Sequence, residues 1–185
     1  MILLLGIAAW LIGEQLTSSS KPRSARKLVA AAQPSFTQFR DPGGTFSGGY
    51  PSSWQRLQSS DPAVVALAAS SDGASLLVRK TPIGVPVSAV NLGRARKLTD
   101  SVVNSGKHVT WLRQPQQVTL GGLPGYLYLY TFDDPTTGQR GAHAHYFLFQ
   151  GTTMVTLVFQ ALPAERISSL APLFDRIASM FRATP

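Results

Sequence analysis

Between Gly121 and Ala161, apolar and aromatic residues arrive in three runs: Tyr126 to Phe132, Ala142 to Phe149 and Met154 to Phe159. Each has the composition of a strand. Polar turn clusters divide them. Asp133-Asp134-Pro135-Thr136-Thr137-Gly138 stacks Asx, Pro and Gly turn chemistry in one stretch, and Gln150-Gly151-Thr152 is short enough for a tight hairpin, so the three runs are predicted to form a β-meander. Centring the first loop near Thr136 places Tyr130 across from His143 and Tyr128 across from His145. Leu127 and Leu129 then share the opposite face with Ala144 and Tyr146. Both alternating sets are largely apolar, whereas an antiparallel sheet wet on one side alternates cleanly. This sheet must therefore be covered on both faces by helices or long loops.

The flanking segments follow the same patterns. Phe36 to Arg40 reads as a strand, Asp41-Pro42-Gly43-Gly44 as a turn, and Thr45 to Tyr50 as its continuation. Val64 to Ala69 and Ala74 to Lys80 form a hairpin around Ser70-Ser71-Asp72-Gly73, which Pro82 and Pro86 are expected to end. From Asn91 to Asn104 the period changes to helical. Leu92, Ala95, Leu98 and Val102 make the apolar line, Asn91 is the expected N-cap, and Gly106 lies just past the end. Val109 to Arg113 and Gln117 to Leu120 are short strands leading into the meander. After Pro163 a closing helix keeps Ile167, Leu170, Phe174, Ile177 and Phe181 on one line. Pro172 predicts either a kink there or two abutting helices, the second starting near Ala171.

The N-terminus changes the picture. Residues 1–16 open on the most apolar run of the chain, MILLLGIAAWLIG. As a helix that run would reach about 20 Å against a hydrocarbon core of about 30 Å. It is too short to span and lacks the basic leader of a secretory signal, so it is expected to be a membrane anchor or signal-anchor whose start lies upstream. Residues 17–34 form a Ser- and Ala-rich linker carrying Lys21, Arg23, Arg26 and Lys27. Counted alone, these charges favour the cytoplasmic side. The chain has a formal charge of +8, but from Ser35 onward thirteen basic residues face eight acidic ones and are dispersed. Nucleic acid is therefore not expected as a partner, and the linker charge suits anionic lipid headgroups. There is no cysteine, which removes disulfides, thiolate metal sites and a cysteine nucleophile.

Three further landmarks coincide. Phe46-x3-Tyr50-Pro51-x2-Trp54 follows an Asp-Pro-Gly turn, Gly122-Leu123-Pro124-Gly125-Tyr126 opens a long strand, and Phe174-x2-Ile177-x3-Phe181 closes the chain. Over roughly residues 35–182 the chain resembles the PsbP-like superfamily, which includes an extrinsic photosystem II protein, a nuclear-import factor that binds a small GTPase, and bacterial envelope proteins. The resemblance implies an α+β fold, an antiparallel β-sheet sandwiched between helices (αβα). It also implies a domain facing outward from the membrane and no shared catalytic residues; no cofactor is expected. One departure is Ser47-Gly48-Gly49, where apolar strand residues are usual, and this weakens the expected pairing of the first hairpin.

Candidate chemistry is sparse. His143 and His145, two apart on a strand, project to one face as metal-binding pairs do, but no third ligand stands near them in sequence. Hydrogen-bonded sheet histidines are the expected reading, with no metal. No phosphate-cradling loop and no G-x-S-x-G elbow occurs. A non-catalytic, membrane-tethered interaction module is expected, its partner another envelope protein or a surface ligand. Two alternatives remain: a small-ligand carrier with a pocket lined by Trp111, Tyr126, Tyr128 and Tyr130, and a hydrolase assembling His108, His143 or His145 with a serine and an acid. Because turns, alternation and caps all begin after Gln33, a chain starting at Ser35 is expected to fold alone. Urea denaturation should then give one cooperative transition, and proteolysis within residues 121–161 of the native protein would contradict it.

Overall fold

The structure, a computed structural model, describes residues 34–184; the apolar segment 1–16 and the linker up to Gln33 lie outside them. The central element is β9 (Arg140–Ala161), which doubles back on itself at Gly151. His143 Nε2 lies 3.0 Å from Gln160 Oε1, seventeen residues away, a distance that unbroken strand would stretch to about 55 Å. Gly151 makes the reversal with φ of 57°, in the region where a side chain is strained. The N-terminal arm pairs with β8 (Leu123–Asp133), and the C-terminal arm pairs with β5 (Ala74–Val87). The meander thus has the expected register, Tyr130 opposite His143 and Tyr128 opposite His145.

Around it the large sheet runs β3 (Gln55–Arg56), β4 (Val64–Ala69), β5, β9, β8 and β6 (Thr110–Trp111), with β7 (Gln116–Leu120) also on β8. All the pairings are antiparallel. A second, three-stranded sheet joins β1 (Phe36–Arg40), β2 (Phe46–Pro51) and β10 (Arg182–Ala183). The strand β10 is not visible in the sequence pattern. The weakened pairing expected of β1 and β2 does not occur, because the glycines are accommodating a neighbour. A Cβ at Gly48 would sit 2.6 Å from the Phe39 ring. The pair is in register from Phe36↔Pro51 to Arg40↔Ser47.

The sheet is covered on both faces, as its two apolar sets require. On one face Leu76, Val78, Leu148, Leu157 and Phe159 pack with the small sheet and with α2 (Ile167–Ala178), through Phe46, Phe174, Ile177 and Phe181. On the other, Tyr126, Tyr128, Phe147, Phe149 and Met154 meet Leu92, Ala95 and Val103 at α1 (Arg96–Asn104). The fold is α+β with an antiparallel sheet between helices. Asp41, buried in the β1–β2 turn, ties the two sheets together. It accepts from Thr45 Oγ1 at 2.6 Å and from Lys80 Nζ of β5 at 2.9 Å. Burial opposes its charge, yet these bonds outweigh burial and hold the carboxyl below its ordinary range.

Four expectations are corrected. Pro82 and Pro86 do not end β5: the strand shifts register between Pro82 and Val87 and then pairs again at Val87↔Gly151. Asn91 is not a helix cap. Its Oδ1 accepts from Ser88 N at 2.7 Å and its Nδ2 donates to Pro86 O, so it staples the loop, while the helical stretch opens as a 3-10 turn at Leu92–Ala95. In α1 the buried positions are Thr99 and Val103, leaving Leu98 and Val102 half exposed. The helix is turned this way because Thr99 Oγ1 bonds the Tyr128 hydroxyl beneath it, at 2.6 Å. Finally, of the two outcomes expected at Pro172, the pair of abutting helices does not occur: α2 is one element through it. Loss of a single backbone bond in its second turn is outweighed by burial of Phe174 and Ile177.

Phe159 is wholly buried between Phe174, stacked at 5.1 Å, and Tyr146 at 6.0 Å. Phe159→Ala should lower unfolding free energy by about 3–5 kcal/mol, read as a fall in urea midpoint at unchanged slope.

Candidate functional site

Alternation along β8 and the first arm of β9 puts Tyr126, Tyr128, Tyr130, His143 and His145 on the face toward α1. Water is excluded there, so their polar atoms must find one another. The Tyr130 hydroxyl lies 3.1 Å from His145 Nδ1 and 3.0 Å from His143 Nδ1. His143 Nε2 donates to Gln160 Oε1 at 3.0 Å. Burial lowers the His143 pKa to about 4, pushes His145 well below the ordinary imidazole value, and raises that of Tyr130. All three groups are neutral at neutral pH.

The other two tyrosines hold α1. Tyr126 donates to Leu92 O at 3.3 Å, and Tyr128 donates to Asp100 Oδ1 at 2.5 Å, while Arg96 lies over both rings and pairs with Asp100 at 2.8 Å. Trp111 packs edge-on against Tyr128, with ring centroids 5.8 Å apart. The structure therefore brings the four aromatic candidates together with both histidines, as packed rings under and beside α1 rather than as the lining of a pocket. His108 stands apart and bonds Asp133 at 2.5 Å. Among the described residues no serine hydroxyl is hydrogen-bonded to a histidine, and no cluster of three His, Asp or Glu could hold a metal.

The cavity lies next to these rings. Helix α1 covers β8 and the first arm of β9 but leaves β5 and the second arm open, forming a groove of about 340 Å³. Leu77, Thr156 and Val158 line its sheet side, Leu98 and Val102 its helix side, and His145 also borders it. Sequence reasoning placed Leu98 and Val102 in the core and so missed the groove. The available signal was the alternation of Met154, Thr156, Val158 and Gln160, whose two polar members mark a face only partly covered.

This arrangement is a PsbP-like fold: among the described residues, two sheets and two α-helices around a two-faced core. Compared by sequence, the chain matches no protein-family model and no curated protein. Compared by structure, it is similar to cyanobacterial PsbP (CyanoP) from Synechocystis, at 15% identity and TM-score 0.55 over 84% of this chain and 96% of that one. It is similar to LpqN, involved in cell envelope biogenesis of Mycobacterium tuberculosis, at 14% identity and TM-score 0.59 over 82% and 91%. The yeast Ran-binding protein Mog1p matches at 11% identity and TM-score 0.53 over 82% and 96%. Likeness at these identities shows the fold. Among the described residues no helix is long and apolar enough to cross a membrane.

Because folded His143 stays neutral down to about pH 4 while the unfolded chain takes up that proton near pH 6.5, its contribution to stability is complete above pH 6.5. It is lost progressively from there to pH 4. Unfolding free energy measured between pH 7 and 4.5 should fall more steeply for the native protein than for His143→Gln, by on the order of 1–3 kcal/mol. The paired carboxylates contribute equally to both slopes and cancel in the comparison.

Proposed function

We propose that this chain is a non-catalytic accessory module of the cell envelope, held at the membrane by residues 1–16 and the basic linker. Its domain faces outward and engages another envelope protein or a surface ligand. The observation that carries this reading is where the reactive side chains go. His143 and His145 are tied to Tyr130 and Gln160, and Asp41, Asp100 and Asp133 to Lys80, Arg96 and Arg140. Groups that could act as a base or nucleophile are thus committed to holding the sheet and helix together. The involvement of LpqN in cell envelope biogenesis and the Ran binding of Mog1p, both of this fold, support the same direction. The exposed groove beside α1 is the one observation that favours the small-ligand carrier as a second reading.

The test is fractionation. After alkaline carbonate extraction the full chain should remain in the membrane pellet, and protease added to intact cells should remove the domain. Release of the intact protein into the supernatant would reject the anchor, and full protection from external protease would reject the outward orientation.

A further inference from the structure

Bond directions along the histidine chain can be assigned atom by atom. Gln160 Oε1 carries no proton, so His143 donates from Nε2. A neutral imidazole then has a lone pair at Nδ1, and Tyr130 donates to it. The Tyr130 oxygen in turn accepts from His145 Nδ1–H. This leaves His145 Nε2 as a lone-pair acceptor, and it is the buried side-chain polar atom without a partner among the described residues. His145 is only 7% exposed, and it borders the groove beside α1. A buried acceptor left unpaired is costly, so a ligand group that satisfies it is selected over one that cannot.

We propose that this groove binds a small, neutral, largely apolar molecule carrying one hydroxyl donor, an alcohol or phenol, with His145 Nε2 accepting its hydrogen bond. The rest of the lining fits that chemistry. Leu77, Val158, Leu98 and Val102 offer apolar contact, and about 340 Å³ has room for a compact ring or short chain. Arg79, at the rim, is paired with Asp61 at 3.2 Å, so an anion finds no uncommitted charge there. His145, held neutral by burial, offers none either. Nε2 is closed to bulk water, so a hydroxyl reaches it only when the half-exposed Leu98 and Val102 side chains shift aside and the apolar body of the ligand takes their place against the sheet. A ligand with an ether or methyl in place of the hydroxyl would leave the nitrogen unpaired.

Three probes of nearly the same shape decide the matter: phenol, anisole and toluene, titrated into the full chain and followed by side-chain NMR. Phenol should saturate at millimolar concentration or below, with shifts confined to Leu98, Val102, Thr156 and His145. Anisole and toluene should bind at least about tenfold more weakly. His145→Phe, which keeps a ring in place but removes the acceptor, should bring phenol to the level of anisole. Leu98→Arg, at an exposed position where folding is not at stake, should abolish binding of all three. Equal binding of phenol and toluene, preference for anisole, or no saturation by phenol at about 10 mM would each overturn the proposal. If His145→Phe does not fold, the three-probe comparison on the native chain and Leu98→Arg still decide it.

Discussion

A sheet covered on both faces leaves no water for the polar side chains on its strands, and much of this molecule follows from how that deficit is met. Alternation sends Tyr126, Tyr128, Tyr130, His143 and His145 to the side under α1, where each hydroxyl and imidazole must be paired from within. Tyr130 serves both histidines, Gln160 reaches across the two arms of β9, and Tyr126 and Tyr128 spend their hydroxyls on the helix. The helix is oriented by those bonds as much as by its apolar residues. Thr99 takes a core position because Tyr128 lies below it, and Leu98 is left at the edge.

That choice divides the face. Where the helix is pinned, the aromatic rings are closed over. Where it stops, β5 and the second arm of β9 remain open, and a groove forms with His145 at the border between the two regimes. The opposite face has a different economy. There Phe46, Phe159, Phe174 and Phe181 fill the space with rings that ask for no hydrogen bonds, and Asp41, the one fully buried carboxylate among the described residues, is neutralised by Lys80 across the gap between sheets.

The strands, their register and the double coverage were legible because period-2 alternation and turn residues such as Asp134, Pro135 and Gly151 act locally. The PsbP-like likeness could be read from Tyr50-Pro51, Gly122 to Tyr126 and the closing helix for the same reason. What could not be read depends on partners distant in sequence. The rotation of α1 rests on a Thr99–Tyr128 bond, which a hydrophobic line through Leu98 and Val102 cannot register. Asn91 looks like a cap until Ser88 and Pro86 are seen to claim its side chain. Arg182–Ala183 is too short to carry a pattern, and Gly48 looks like a defect until the Phe39 ring is placed beside it. Of the site, the facing of tyrosines and histidines was legible from register, whereas the groove arises from what α1 leaves uncovered.

The small sheet has a consequence for the order in which the molecule can assemble. Its middle strand, β2, is hydrogen-bonded on one edge by β1 and on the other by β10, and Phe46 within it is capped by Phe181 at 5.5 Å. Thr184 N donates to Thr45 O at 2.8 Å, closing the same seam. The first hairpin of the domain therefore waits for residues 182–184 before its second edge is paired. A ribosome releasing this chain exposes Phe46 and the bare edge of β2 until those residues, more than 130 positions further on, have emerged. The hairpin is thus the part most in need of protection from premature pairing during that interval.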